Sequence, residues 1–171
     1  YQEQELIFDF ATVGIAYLKD RVIQRCNPQM AAMFGYAPEE MLEQSVAMLY
    51  PDAAAYEKAG AESYSRLSDG SAFIAERELL RRDGSAFWCK VVGKAIDPAR
   101  AAEGTIWIFD DISAEREARE SLVAARKQLQ ESHAKLEVSH EQLERAVAER
   151  TAELKATNDR LQQEIGERKQ A

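Results

Sequence analysis

Ile106-Trp107-Ile108-Phe109-Asp110-Asp111-Ile112-Ser113 is the stretch at which this chain changes character. Every Phe, Tyr and Trp lies at or before Phe109, and from Ala114 to Gln170 there is no proline and one glycine, Gly166. Leucine then recurs every seventh residue at Leu122, Leu129, Leu136 and Leu143, and Val147, Leu154 and Leu161 follow. Heptad recurrence with Glu, Arg, Lys and Gln between predicts one long helix pairing with another copy along those residues. At 1.5 Å per residue it would run roughly 80 Å, too long to be core in a chain of this size. The sequence thus divides into an N-terminal amphipathic helix over 1–11, a globular domain over 12–113 and a coiled-coil helix over 114–171.

Upstream of that stretch, alternation predicts strands. Thr105–Ile112 is preceded by Ser71–Arg82 and Ser85–Ile96, joined by Asp83-Gly84, a strong hairpin signal. Val13–Leu18 and Arg21–Cys26 form an earlier pair around Lys19-Asp20. Between the two groups, Asn27-Pro28 suits a helix start and Gly35 its end, Pro38 opens a short helix, and Pro51–Leu67 reads as a longer one. Strands, helices, then strands predict an α+β domain with one antiparallel sheet and helices on one face.

The 171 residues carry a net charge of −8, which disfavours nucleic acid and anionic membrane as partners. No run is long enough to span a membrane and no signal peptide opens the chain, so a cytoplasmic setting without membrane contact is expected. Cys26 and Cys89 are too isolated for a disulfide framework, and no metal site is predicted. The abrupt start, and the stop inside a heptad pattern, suggest a piece of something longer.

The order of these elements resembles a PAS domain, the sensory module of bacterial signalling proteins. So do Asn27 opening a helix, Gly35-Tyr36, Pro38-Glu39-Glu40, Arg82-Asp83-Gly84 before Trp88, and Asp111-Ile112-Ser113. The resemblance implies a five-stranded antiparallel sheet, with the helices of 27–68 enclosing a pocket against it. Phe87, Cys89, Val91, Trp107 and Phe109 would face that pocket from the sheet, and Met30, Met33 and Phe34 would close it from the helix side. The same residues would equally fill a core. The resemblance also makes Asp111, Ile112 and Ser113 the junction between the last strand and an output helix. Ser113 stands for the usual Thr, and its hydroxyl is expected to cap that helix. Arg116 replaces the Glu of a capping box.

No histidine lies in the globular part, so a histidine-ligated haem has no ligand there. A cysteinyl-flavin needs Asn-Cys-Arg, whereas Cys26 precedes Asn27-Pro28. A non-covalent flavin or a small organic ligand stays open, and the cofactor is not identified. No nucleotide-binding or hydrolase motif is present, so this stretch is not expected to be an enzyme. The expected function is a cytoplasmic sensory and dimerisation module. It would be a homodimer through its helix and control an output domain in the same parent chain, a histidine kinase or a diguanylate cyclase. Two alternatives remain: a constitutive dimerisation module without ligand, or part of a histidine kinase whose phosphoacceptor helix carries His140. Ser139-His140-Glu141 resembles that box, although Gln142-Leu143-Glu144-Arg145 follows it instead of the usual Thr-Pro turn.

Overall fold

Asn27 stands where three segments meet. The computed structural model describes residues 2–170. Positions 1 and 171, the outer ends of the first and last predicted segments, lie outside the described residues, as do the side chains of Gln2 and Gln170. Strands β1 (Gly14–Lys19) and β2 (Val22–Cys26) form a hairpin, and Asn27 caps helix α2 (Pro28–Phe34). The fully buried Asn27 carbonyl accepts from Ile15 N at 2.8 Å and Met30 N at 3.0 Å. Its amide donates to Phe8 O and Val13 O, both at 3.0 Å, which ties helix α1 (Gln2–Asp9) to the same point. Four bonds satisfy the whole amide, as burial of so polar a group requires.

The β1–β2 turn falls one residue later than alternation predicts, at Asp20-Arg21. Both residues have positive φ, 50° and 63°, as a two-residue hairpin of this twist demands. Neither is glycine, and Asp20 N is held by Ala102 O at 2.7 Å. Asp83-Gly84, by contrast, is not a two-residue turn: β3 (Phe73–Leu80) ends and β4 (Ala86–Ala95) begins with a longer loop between them. There Gly84 alone takes a positive φ, while Asp83 accepts from Ser85 N at 2.9 Å. An Asx turn has displaced the tighter hairpin.

With β5 (Thr105–Asp111) the strands form one antiparallel sheet in the order β2-β1-β5-β4-β3. Helices α2, α3 (Pro38–Met41) and α4 (Ala53–Leu67) supply the other layer, with a 3-10 turn at Val46–Leu49 that the pattern did not signal. Phe34 centres the core, edge-on to Phe87 at 5.3 Å and to Phe109 at 5.7 Å. Trp107 lies across Gly93, where an added Cβ would stand 2.7 Å from the indole, so glycine is required in mid-strand. Ile15, Ile108, Val92 and Ile74 form a cross-strand row on the opposite, outer face. The apolar side of α1 is also largely uncovered: Leu6, Ile7 and Phe10 are exposed, while Phe8 lies under the Arg25 guanidinium.

Residues up to Glu117 form one compact unit and those from Ala118 a second. The second is the remainder of α5, a single helix from Ser113 to Gln170. In it Leu122, Leu129, Leu136, Leu143, Val147, Leu154 and Leu161 are between 48% and 70% exposed. No described helix is long and apolar enough to cross a membrane.

Asn27→Asp keeps both acceptor bonds and the cap but removes both donors. It should destabilise the domain by about 2–4 kcal/mol, because two partly buried carbonyls lose their partner and a charge enters the core. Urea unfolding measures this directly. A midpoint equal to wild type would show that the amide donors contribute nothing.

Candidate functional site

Two places in the domain gather side chains beyond what packing needs: a small cavity between sheet and helices, and the passage from β5 into α5. The cavity has a volume of about 30 Å³. Its sheet side is Leu18, Phe73, Leu79, Val91, Trp107 and Phe109, and Val46, Leu49, Tyr50, Ser63 and Tyr64 face it from the helix side. Of the sequence-predicted pocket residues, Val91, Trp107 and Phe109 line it. Met30, Met33, Phe34, Phe87 and Cys89 are equally buried but stand outside its wall, in the packed core around α2. Burial pushes the Cys89 thiol up to about 12, so it stays protonated and behaves as a small apolar group.

Two arginines that the sequence did not single out also reach the cavity, Arg21 from the β1–β2 turn and Arg77 from β3. Arg21 folds across the Tyr56 ring with its guanidinium carbon 3.3 Å from the centroid, and it donates to Tyr56 O. Glycine at position 60 makes room for it, since a Cβ there would lie 2.5 Å from Arg21 Nη1. Arg77 pairs with Glu62 at 2.8 Å. No sequence signal marks either one, because a charged residue in a hairpin or on alternate strand positions reads as solvated surface. Tyr64 contributes a buried phenol, pushed above its ordinary value by burial and drawn partly back by a hydrogen bond with Thr105.

At the junction, Asp111 is the pivot. Its carboxylate accepts from Arg81 Nη2 at 2.6 Å and from Ser113 N at 3.0 Å. Ile112 N donates to Trp88 O at 3.0 Å, and Ile112 O receives Arg116 N, the first bond of α5. The expected Ser113 cap is therefore corrected: the Ser113 hydroxyl accepts from Trp88 N at 3.1 Å, on the sheet, and Asp111 satisfies the helix start instead. Arg116, far from leaving a cap half made, lays its guanidinium 4.0 Å over the Trp88 ring and bonds Glu76 at 3.1 Å. Arg81 reaches the other way as well, donating to Met33 O near the end of α2 and lying 3.9 Å over Phe87. One guanidinium thus joins α2, the sheet and the start of α5.

A sequence model of the PAS domain matches residues 11–114, the span of this sheet and its helices. The chain belongs to the PAS domain family. It is 34% identical over 127 residues to Sensor protein TdiS of Thauera aromatica, a match covering 74% of this chain and 23% of that protein. The chain therefore spans about a quarter of that relative's length. Among solved structures, it resembles the PAS domain of a LuxR-family transcriptional regulator from Burkholderia thailandensis in complex with ethanol. That match has a TM-score of 0.61 and 30% identity, covering 64% of this chain and 96% of the other. A PAS domain from Colwellia psychrerythraea shares the fold at TM-score 0.60 and 22% identity, covering 66% of this chain and 97% of the other. The chain thus carries a PAS sensory domain of the kind found in signal-transduction proteins, followed by a long helix.

The Asp111 carboxyl is pushed up by partial burial, but hydrogen bonds from Arg81 and Ser113 more than reverse this and hold it below its ordinary value. Its contribution to stability is complete above the unfolded value of about 3.9 and is lost as pH falls through the lower folded value. Asp111→Asn should lower the melting temperature at neutral pH and reduce the loss of stability below about pH 4. Melts across that range test it. An acid limb identical to wild type would mean that the Arg81 pair carries no stability.

Proposed function

We propose that this chain is the input and dimerisation part of a cytoplasmic signalling protein. A change in the PAS core passes through Asp111-Ile112-Ser113 into α5, which pairs with a second copy and governs an output domain in the same parent chain. The observation that carries this is the hydrogen-bonded passage from β5 into a helix whose apolar row is exposed along its whole length. A row of that length is stable in water once it is covered, and an identical helix covers it best. The likeness to a sensor protein about three times as long supports an output domain beyond this stretch, a histidine kinase or a diguanylate cyclase. No nucleic-acid or membrane contact is assigned to this part.

The cavity supports a reading in which the core takes a small ligand and no haem or flavin. Pockets that enclose such cofactors are several hundred Å³, whereas this one is about 30 Å³. Ethanol in the Burkholderia thailandensis domain is a precedent for a ligand of a few atoms.

Along the rod, Leu143 and Leu154 are eleven residues apart, so a leucine row kept in one heptad position needs a stutter just after Val147. Such a stutter supplies two competing packings that a small rotation at Asp111–Ser113 can bias. Sedimentation velocity on the whole chain and on residues 1–117 tests the dimer. The whole chain should be dimeric at micromolar concentration and the shortened one largely monomeric. A shortened chain that is just as tightly dimeric would move the interface to the globular domain.

A further inference from the structure

Ser132-His133-Ala134-Lys135-Leu136-Glu137 and Ser139-His140-Glu141-Gln142-Leu143-Glu144 are one motif written twice, a heptad apart, in the middle of α5. Serine, histidine, leucine and glutamate hold the same places in both, and these are the only histidines in the chain. In each motif the imidazole Nδ1 stands beside the Oε1 of the glutamate four residues on. The separation is 3.5 Å for His133 and Glu137 and 3.7 Å for His140 and Glu144. All four side chains are 68% to 72% exposed in the single chain, so an ion from solution can reach them.

Heptad register puts these pairs on the seam. With Leu122, Leu129, Leu136 and Leu143 at d, His133 and His140 fall at a, each between two leucines of the row. Leucine at d with a β-branched residue at a suits a parallel pair, and Val147 then occupies a. The opposite choice, leucines at a, would put Val147 at e. Glu137 and Glu144 fall at e, on the edge of the seam, and Ser132 and Ser139 at g, where no charge pair forms across to them.

The nitrogen–oxygen separations are those of neighbouring ligands on one metal ion. Zinc bonds of about 2.0–2.2 Å set adjacent donors of a tetrahedron roughly 3.3–3.6 Å apart, whereas a direct charge-assisted hydrogen bond is shorter, at about 2.7–2.9 Å. Within one chain no three His, Cys, Asp or Glu side chains gather among the described residues, so each motif supplies two donors. A second copy in parallel register brings the same two to the same layer and makes four.

We propose that paired α5 helices bind a divalent transition-metal ion of the zinc class at each histidine layer. His133 and Glu137 of both copies form one site, and His140 and Glu144 of both copies the other. Two imidazoles and two carboxylates close a four-coordinate set. Imidazole nitrogen selects zinc, nickel or copper over magnesium and calcium, which take oxygen ligands. Because each ion needs both copies, its binding free energy stabilises the pair at the two layers where the seam is polar. This inference rests on the proposed pairing of α5 with a second copy.

The test uses the whole chain without an affinity tag, stripped with EDTA, and zinc chloride as the probe. Calorimetric titration gives the stoichiometry, and sedimentation velocity gives the oligomeric state with and without zinc. Zinc should bind at one ion per chain and raise the melting temperature, and magnesium should do neither. His133→Leu should halve the stoichiometry, and His133→Leu with His140→Leu should abolish it. Leucine suits the seam, so both variants should dimerise in EDTA at least as tightly as wild type, which separates loss of a ligand from loss of the pair. Glu137→Gln should weaken zinc at its own layer by roughly tenfold or more. Two ions per chain would show each His–Glu pair binding alone and would overturn the shared site. Undiminished binding in the double histidine variant, or no binding by a chain that is dimeric in EDTA, would remove the metal site and leave the dimer standing. A chain monomeric with and without zinc would sink both.

Discussion

The side-chain amide of Asn27 is the contact on which the domain's geometry rests. A primary amide buried without partners would cost several kcal/mol, so it is tolerated because all four of its hydrogen-bonding positions are filled. The partners come from α1, the loop before β1, β1 itself and the first turn of α2. One side chain therefore fixes the angle at which α2 leaves the hairpin. That angle places Phe34 between Phe87 and Phe109 and brings Met30 to within contact of Gly14, where a Cβ would lie 3.0 Å from the Met30 backbone. Aspartate or serine could cap the helix, but aspartate has no donor and serine only one, so neither could supply both.

The same placement of α2 ties it to the far end of the sheet. Arg81 is held at one end by a carbonyl of α2 and at the other by the carboxylate of Asp111, so α2 and the start of α5 share a charged strut. Arg82 repeats the link from its backbone, donating to Phe34 O at 2.9 Å, and from its side chain to Glu40 at 2.6 Å. A displacement of α2 changes the length or direction of both bonds. Because Asp111 also holds Ser113 N, hydrogen bonds run without a break from α2 through Arg81 and Asp111 to the first turn of α5. Trp88 closes the circuit, since its backbone bonds both Ile112 and Ser113 and its ring carries Arg116.

Packing decides the size of the cavity. The Trp107 indole lies over Gly93 and meets Phe73 edge-on at 6.0 Å, which fills much of the space between β4, β5 and α4. What is left is the small region beside Tyr64 and Arg21, at the opposite end of the core from α2. A sheet face so thoroughly occupied by aromatic rings leaves only a small space, bordered by a few polar side chains.

Sequence periodicity alone determined the two-part division of the chain, the strand and helix order, the capping role of Asn27 and the exposed heptad row. Each of these is local, depending on residues within one or two turns of each other. Turn chemistry was legible in kind but not in place: Asp83-Gly84 gave its tight turn to an Asx turn, whereas Asp20-Arg21 adopted the positive φ values without a glycine. Only the tertiary structure decided which apolar residues border the cavity. Alternation assigns Cys89 and Val91 to one face of β4, yet Val91 lines the cavity while Cys89 is buried outside its wall. The same is true of Arg21, Arg81 and Arg116. A long cationic side chain in a strand or turn reads as surface, and its burial over an aromatic ring depends on partners far away in sequence. Ser113 shows the limit most plainly. Its position promised a helix cap, yet the nearest backbone donor in space, Trp88 N, belongs to another strand and takes the hydroxyl first.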